Sequence, residues 1–192
     1  MLQMLPKDQI SDAIRTLTSG GVILYPTDTV WGLGCKFDEK EAYTKLRGLK
    51  NRPENQSFIL IVSSIEQLKK YINYIHPRVE TLLTMHQRPL TIVYKDPKNI
   101  PAHCLAEDGS IAIRVVSDPF CQALTKALGC PISSTSANAH GEPTPTHFGE
   151  IRSDIISNAD YVFDYRRSKA NHGEPSVIAE FNKKGDLIFI RE

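Results

Sequence analysis

Residues 25–34 of this 192-residue chain read Tyr25-Pro-Thr-Asp-Thr-Val-Trp-Gly-Leu-Gly34, and they follow a short apolar run that begins at Val22. Because proline disfavours helical geometry in the residue before it, the run is predicted to be a strand that ends at Pro26. Gly32 and Gly34 permit positive φ or a close approach between backbones. The stretch therefore predicts a strand end that opens into a polar, tightly folded mouth rich in hydroxyl groups.

Helix and strand patterns alternate on both sides of this mouth. Helical spacing of apolar residues, with capping patterns such as Ser64 before Gln67, predicts helices over 10–17, 38–49, 65–75, 77–85, 119–128 and 151–156. Short apolar runs predict strands over 22–25, 58–62, 90–94, 111–116, 161–165, 176–181 and 187–191, and a stub near Ile132 that leads into a polar loop at 133–138. This alternation predicts an α/β fold with a mixed sheet, in a single domain over residues 1–192.

The composition is that of an ordinary soluble globular protein, with 41% hydrophobic residues, 23% charged residues and a net charge of +1. Such a balanced charge produces no overall positive potential that would attract nucleic acid, so a nucleic-acid role would need a local cluster of basic residues. The four cysteines form no C-x-x-C pair, and we expect reduced thiols in a cytoplasmic protein without a structural metal. The N-terminus lacks a signal-peptide pattern and no apolar run approaches the roughly 20 residues of a membrane span, so no membrane association is expected.

Four cations at positions 45, 47, 50 and 52 fall close together without an intervening acid. A cluster of this kind at a helix C-terminus complements the helix dipole, so a solvated helix end explains it as well as an anion site does. Pro53 favours the anion site because it holds Arg52 in extended geometry beside the helix end. Together with the mouth, the cluster suggests a phosphate or carboxylate ligand.

Two further patterns leave a binding explanation and a structural explanation open. The hydroxyls at 133–136 and the amide of Asn138 could cradle a phosphate in a backbone nest, or could form a plain polar turn. Arg114 lies inside the apolar run 111–116, where an unpaired guanidinium would be very costly. Its partner is therefore either a ligand carboxylate or phosphate, or a carboxylate of the protein.

The sequence contains no phosphate-binding loop, dinucleotide fingerprint or G-x-S-x-G elbow. Cys35 follows the mouth, but no histidine is placed to activate it, and it is expected to be buried. His140 and His147 flank a loop rich in proline and threonine, where they either reach a ligand or stay on the surface. Binding groups without an evident nucleophile suit a reaction catalysed by positioning and charge stabilisation, such as nucleotidyl transfer.

Five motifs in order resemble the YrdC family of threonylcarbamoyl-AMP synthases: the mouth at 25–34, Lys50-Asn-Arg-Pro53, Ile111-Ala-Ile-Arg-Val115, Ser134-Thr-Ser-Ala-Asn138 and Gly141-Glu-Pro-Thr-Pro-Thr146. The resemblance extends over essentially the whole chain. It implies a twisted, open mixed sheet flanked by helices, with a large concave face. It also implies a nucleotidyltransferase that makes threonylcarbamoyl-AMP and pyrophosphate from L-threonine, bicarbonate and ATP, usually with Mg²⁺, whose ligands the sequence does not identify.

The same resemblance implies roles for individual residues. Lys50 and Arg52 are the implied catalytic pair that grips the ATP phosphates. The implied contacts to the substrate threonine come from Thr29, Arg114 and Ser176. The implied ATP contacts are completed by Gln56, Ser110, Ser134, Ser136, Asn138, Thr144 and Arg191. The chain departs from many members at residues 86–89, where His-Gln-Arg-Pro replaces W-P-G-P.

The implied product would pass to a threonylcarbamoyl-transferase complex that modifies the adenosine beside the tRNA anticodon. Weak direct binding of tRNA or double-stranded RNA is a further implied partner interaction. Two alternatives remain open from the sequence: an RNA-binding or ribosome-associated module that uses the concave face without catalysis, and an inactive paralogue. The modest net charge weakens the first alternative, and the intact Lys50-x-Arg52 and Ser136-Ala-Asn138 motifs weaken the second.

Overall fold

A computed structural model of the chain describes residues 4–168, 175–181 and 186–191. Within those residues the strands are Val22–Tyr25 (β1), Gly32–Lys36 (β2), Ile59–Val62 (β3), Leu90–Tyr94 (β4), Ile111–Val115 (β5), Ile132–Ser136 (β6), Tyr161–Val162 (β7), Val177–Phe181 (β8) and Leu187–Arg191 (β9). They join into one mixed sheet in the order β7-β1-β2-β6-β3-β5-β4-β8-β9. The α/β fold with an open mixed sheet, predicted from the sequence, is confirmed.

The helices of the described residues cover both faces of this sheet. They are Lys7–Thr18 (α1), Lys40–Lys50 (α2), Ile65–Leu68 (α3), Pro77–Met85 (α4), Pro119–Leu128 (α5) and Ser153–Asn158 (α6). Helices α1 and α5 pack against each other on one face, and α2, α3, α4 and α6 contribute to the core on the other face. None of the helices in the described part of the chain is long and apolar enough to cross a bilayer.

Strand β1 shows why this end of the sheet is buried on both faces. Val22 and Leu24 belong to the core cluster under α2, whereas Ile23 and Tyr25 belong to the cluster under α1 and α5. Because successive side chains of a strand point to opposite faces, a strand covered on both sides has a continuous apolar run. Helix α1 packs on β7, β1 and β2, and α5 packs on α1 and β3. Beyond them, the same face continues over β3, β5, β4 and β8 as the floor of a groove.

Several local predictions are confirmed, and the helix starts are the clearest of them. Asp118 accepts a hydrogen bond from the N–H of Cys121 at 3.0 Å, so it caps α5 as expected for a residue before Pro119. Ser64 accepts from the N–H of Gln67 at 3.2 Å, which is one half of the predicted capping pattern. Strands β1, β4 and β9 and helix α4 occupy their predicted residues.

The prediction of a polar loop at 133–138 is wrong for its first four residues, because residues 133–136 continue β6. Serine and threonine favour turns in isolation, but here the backbone of Ser134 is paired on both sides, with Gly34 of β2 and Ile59 of β3. Central position in the sheet therefore overrides local preference. As a consequence, the serine hydroxyls alternate between the two faces instead of converging in a nest.

Other elements also differ from prediction, three of them in ways that affect the sheet or its connections. Strand β2 was not expected, since its glycines disfavour strands. The helix predicted over 65–75 ends at Leu68, and Ile72 instead forms a bridge with Pro97. The strand predicted over 161–165 ends at Val162, because a parallel partner is available only for the two residues beside β1.

Candidate active site in the groove

A groove of about 720 Å³ lies on the sheet face beside α1 and α5. Its floor is formed by short or branched apolar side chains from neighbouring strands, namely Ile59, Ile61, Val93, Ala112 and Ile178. Its walls carry most of the polar residues singled out in the sequence, and these are Thr29, Arg52, Ser110, Arg114, Ser134, Ser136, Thr144, Ser176 and Arg191. A partly apolar groove with convergent polar groups is the usual form of a small-molecule site.

The hydroxyl of Thr27 fixes the conformation of the mouth, which is the loop between β1 and β2. That oxygen accepts from the N–H groups of Thr29 and Val30 at 3.1 Å and donates to the carbonyl oxygen of Val30 at 2.6 Å. The hydroxyl oxygens of Thr27 and Thr29 lie 2.9 Å apart. Thr29 is thereby fixed in the groove wall, as predicted for a residue of a tightly folded mouth.

Arg114 is buried on β5 and reaches across to this mouth. Its guanidinium forms a short ion pair with Asp28 and donates to the hydroxyl of Thr29 at 3.2 Å. Of the two explanations left open for Arg114, the structure shows the protein carboxylate, and the neutralised arginine also lines the groove. Asp28 is a site residue that the sequence reasoning missed, although it stands next to Thr29 in the opening motif.

Ser176 directly precedes β8 and is linked to Arg114 through Thr91 of the intervening strand β4. Its hydroxyl is 2.8 Å from that of Thr91, which pairs in register with Arg114, so the three side chains occupy neighbouring strands on one face. Arg191 donates to the carbonyl oxygen of Ser176 at 2.7 Å, which ties β9 to this end of the groove. The structure therefore brings together Thr29, Arg114 and Ser176, the three residues implied to contact threonine.

Ser110 precedes β5 and joins a charged cluster on another part of the wall. It donates to Asp108 at 2.6 Å, and Asp108 pairs with Lys95 at 2.7 Å. These hydrogen bonds hold the pKa of the Asp108 carboxyl well below its usual range. Lys95 also lies 3.5 Å from Glu180. Lys95, Asp108 and Glu180 were missed because they are far apart in the sequence and form no local pattern.

The four clustered cations do not act as one group. Lys45 forms an exposed ion pair with Asp160 at 2.6 Å, and Arg47 packs over the rings of Tyr43 and Phe58. Arg52 lines the groove, where its guanidinium donates to the carbonyl oxygen of Ser57 at 2.8 Å and lies 5.1 Å from the centre of the Phe58 ring. Of these cations Arg52 faces the groove, whereas Lys45 and Arg47 are paired or packed elsewhere.

Lys50 is buried behind the groove wall. Its ammonium donates to the carbonyl oxygen of Ser136 at 2.6 Å and also contacts the carbonyl and side-chain oxygens of Asn138. Burial and the nearby Arg52 charge lower the pKa of Lys50 to about 8. The carbonyl oxygen of Lys50 in turn accepts from the N–H of His140 at 2.7 Å. Lys50 thus joins the end of α2 to the chain that follows β6.

The remaining predicted residues separate into two groups. Ser134, Ser136 and Thr144 line the groove. Asn138 instead donates to the carbonyl oxygens of Ala139 and Glu142, and the carbonyl oxygen of Gln56 accepts from Arg47 and Arg52, so both residues build the wall from behind. His140 is exposed and His147 pairs with Glu150, so neither histidine lines the groove. Cys35 is buried and free, as expected.

An open mixed sheet with a groove that presents arginines, hydroxyls and buried polar side chains is typical of proteins that bind anionic small molecules. Comparison with known proteins makes this class specific. The family model Sua5/YciO/YrdC, described as "Telomere recombination", matches residues 15–192. The chain belongs to this family, so the predicted family membership is confirmed.

Curated relatives carry a common name. "Threonylcarbamoyl-AMP synthase" of Escherichia coli K12 is 38% identical over 157 residues, which cover 77% of this chain and 80% of that protein. The protein of the same name from Shigella flexneri is 36% identical over 179 residues, which cover 88% of this chain and 91% of that protein. A synthase of this name is an enzyme of the nucleotidyltransferase class, as the sequence motifs implied.

Solved structures share the fold. The crystal structure of E. coli YciO superimposes with a TM-score of 0.85 at 26% identity, and the match covers 97% of this chain and 89% of YciO. P. abyssi Sua5, crystallised with L-threonine, superimposes with a TM-score of 0.89 at 23% identity. That match covers 98% of this chain and 55% of the Sua5 chain, so it bears on the fold alone.

Proposed function

We propose that this chain is a threonylcarbamoyl-AMP synthase, which converts L-threonine, bicarbonate and ATP into threonylcarbamoyl-AMP and pyrophosphate. The observation that carries the proposal is a single groove in which a buried arginine with its hydroxyl partners and a second, separate arginine line the same cavity. Such an arrangement suits two anionic substrates that must meet end to end. The relatives named for this activity support it.

The threonine end is proposed to be the cluster around Arg114, Thr29 and Ser176. A guanidinium has more N–H donors than the two groups it uses toward Asp28 and Thr29, so Arg114 retains donors for the carboxylate of an amino acid. Arg114 and Asp28 together place one charge of each sign in the wall. That pairing suits a substrate which carries both an amino group and a carboxylate.

The nucleotide end is proposed to be the wall formed by Arg52, Ser110, Ser134, Ser136 and Thr144, and Arg191, which is bonded to Ser176, is proposed to contact ATP where the two ends meet. Arg52 is already held by main-chain carbonyl oxygens, so little side-chain entropy would be lost when its guanidinium meets a phosphate. We propose that Lys50, Gln56 and Asn138 support this wall from behind without contacting the substrate in the arrangement described here. The sequence-based assignment of Lys50 to the phosphates becomes a supporting role in this proposal.

In the proposed reaction the amino group of threonine combines with bicarbonate to give a carbamate and water. A carbamate oxygen attacks the α-phosphorus of ATP, a P–O bond to that oxygen forms, and the bond to the β-phosphate oxygen breaks to release pyrophosphate. Negative charge builds on the phosphate oxygens during the transfer, and fixed donors stabilise it without reorganising. Arg52 and the β6 hydroxyls are the proposed donors.

Magnesium usually accompanies a nucleotide in reactions of this kind. Among the described residues no group of three or more histidines, cysteines or acids could hold a metal ion. Four acidic residues line the groove: Asp28 pairs with Arg114, Asp108 and Glu180 pair with Lys95, and the fourth is Glu107. The side chains present therefore do not fit a protein-held magnesium site, and any magnesium would arrive on the ATP phosphates.

We further propose that the whole chain acts as one domain in the cytoplasm and passes its product to a threonylcarbamoyl-transferase complex acting on tRNA. The single sheet and the four free cysteines support this setting. Weak binding of tRNA or double-stranded RNA remains a proposal for the concave face.

Pyrophosphate release from ATP by the purified protein tests the main proposal. We expect release that requires both L-threonine and bicarbonate, with the other nineteen amino acids tested singly as matched controls. Release that ignores threonine would assign the groove to another substrate. Salt-dependent RNA binding without any nucleotide turnover would instead favour the non-catalytic RNA-binding alternative.

A further inference from the structure

The phenol of Tyr25, which the proposed mechanism does not use, lies fully buried beneath the groove wall. Tyr25 ends β1, and its ring crosses the face of β2 over Gly32 and Gly34. A Cβ on Gly34 would lie 3.0 Å from Cε1 of Tyr25, and one on Gly32 would lie 3.3 Å from the same atom. The two glycines therefore serve close approach and not positive φ, because they leave the space that the tyrosine ring occupies.

Crossing β2 brings the Tyr25 hydroxyl to the next strand, where it lies 2.5 Å from the hydroxyl oxygen of Ser134. Within the described part of the chain, Ser134 is the hydrogen-bond partner recorded for this phenol. If Ser134 were the donor, the buried phenol proton would be left without an acceptor, which is unfavourable. The phenol therefore donates and Ser134 accepts. Burial also raises the pKa of Tyr25, so the phenol keeps its proton at any physiological pH.

This direction has a consequence for the groove. A serine hydroxyl that accepts from a buried donor keeps its own proton available, and Ser134 lines the groove. Ser134 also pairs in register with Ile59, the first residue of β3, and the turn before β3 carries Arg52. The hydroxyl proton of Ser134 is thus available to a ligand in the groove that Arg52 also lines.

We propose that Tyr25 is a positioning residue, whose phenol holds the Ser134 hydroxyl as a donor to a phosphate oxygen of the nucleotide. A hydroxyl fixed in this way favours an anionic oxygen, which only accepts hydrogen bonds, over a ligand group that must donate. The identity of the nucleotide as ATP rests on the proposed function. The orientation of Ser134 rests on the hydrogen bond alone.

Direct binding measurements with Tyr25→Phe, Ser134→Ala and the double variant test the proposal. By titration calorimetry with ATP and, separately, with inorganic pyrophosphate, we expect each single variant to weaken binding by about five- to tenfold. The double variant should bind no more weakly than Ser134→Ala within about twofold, since both substitutions remove the same donor. Binding of L-threonine should stay within about twofold of wild type in all three variants.

Tyr94→Phe is the matched control. Tyr94 is also a buried tyrosine, but its hydroxyl has no hydrogen-bond partner among the described residues, so its removal should leave ATP binding unchanged. Additive losses in the double variant, equal losses for threonine, or a Tyr25→Phe protein that binds ATP like Tyr94→Phe would overturn the proposal. If Tyr25→Phe does not fold, the phenol proton of wild-type Tyr25 can be followed by NMR. A resonance that does not move with Ser134→Ala or on adding pyrophosphate overturns the proposal as well.

The outcomes also separate this inference from the proposed function. Wild-type protein that binds ATP and shows the Tyr25 coupling, but releases no threonine-dependent pyrophosphate, overturns the synthase activity alone. Wild-type protein that makes the product while Tyr25→Phe binds ATP normally overturns the positioning role alone. Protein that binds neither ATP nor pyrophosphate overturns both.

Discussion

Lys50 and Arg52 stand two residues apart in one basic motif, yet they occupy opposite sides of the groove wall. The ammonium of Lys50 is buried among the oxygens of Ser136 and Asn138, whereas the guanidinium of Arg52 lines the groove. Asn51 between them adopts a left-handed conformation with φ 48° that ends α2 and redirects the chain. Neighbouring cations can therefore have different roles, one holding the wall and the other presenting charge to a ligand.

Arg114 combines the two situations, since it is buried like Lys50 and lines the groove like Arg52. We expect Arg114→Ala to have the largest effect, because it removes a ligand donor and also leaves the partly buried Asp28 carboxylate unpaired. Threonine-dependent pyrophosphate release should fall at least about tenfold, on the order of 1.4 kcal/mol or more. The free energy of unfolding, measured by urea denaturation, should fall by about 2 kcal/mol.

The double variant Arg114→Ala/Asp28→Asn is the control for this prediction. It should recover part of the stability, because the unpaired charge is gone, but none of the activity. Recovery of activity together with stability would mean that Arg114 only neutralises Asp28. Arg114 would then support the wall, as Lys50 does, and would not contact the ligand as proposed for Arg52.

Lys50→Met should lower mainly stability and Arg52→Ala should lower mainly turnover, so the two variants test the different roles of these cations directly. Lys50→Met leaves buried carbonyl oxygens without their donor, so the free energy of unfolding should fall by about 2 kcal/mol. Arg52→Ala should cost less than about 1 kcal/mol of stability, because its carbonyl partners are partly exposed, but should lower turnover at least about tenfold. Urea denaturation and pyrophosphate release on the same samples provide both measurements.

Lys50→Met can lower activity in two ways, by unfolding part of the protein or by slowing the reaction of the folded protein. Measurements well below the unfolding midpoint report only the second effect. If Lys50 supports the wall, turnover measured well below the unfolding midpoint should fall less than in Arg52→Ala. If instead Lys50→Met proves as stable as wild type and as inactive as Arg52→Ala, its ammonium contacts the nucleotide in the working enzyme. The division of labour between the two cations would then be wrong.

Much of the groove could be predicted from the sequence, and the residues that could not be predicted share a physical reason. Arg114, Ser110 and Ser176 were expected at the site, and each lies on or beside a strand whose alternation fixes its direction. The side of the wall on which Lys50 lies depends instead on the dihedral angles of Asn51 and on distant carbonyl oxygens. Sequence spacing does not report either of these.

The same limit explains the missed partners. Asp28 and Arg114 meet across 86 positions of sequence, and Tyr25 meets Ser134 across 109. Both contacts depend on strand order, in particular on β2 lying between β1 and β6. The sequence shows the glycines of β2, but only the strand pairing shows that the Tyr25 ring packs against them.

The smallest expected effect is a pH dependence that only the buried cation should show. The pKa of Lys50 is lowered to about 8 from 10.5, so between these values the folded protein binds fewer protons at this site than the unfolded chain does. Stability contributed by Lys50 therefore rises with pH across that window, by roughly 1 kcal/mol between about pH 7.5 and pH 9. The difference in unfolding free energy between wild type and Lys50→Met should grow by this amount, while the contributions of the thiols and other groups common to both proteins cancel.

Arg52→Ala serves as the control, and its difference in unfolding free energy from wild type should change little with pH. A flat Lys50 difference would mean that hydrogen bonds to carbonyl oxygens keep the ammonium charged as firmly as water does.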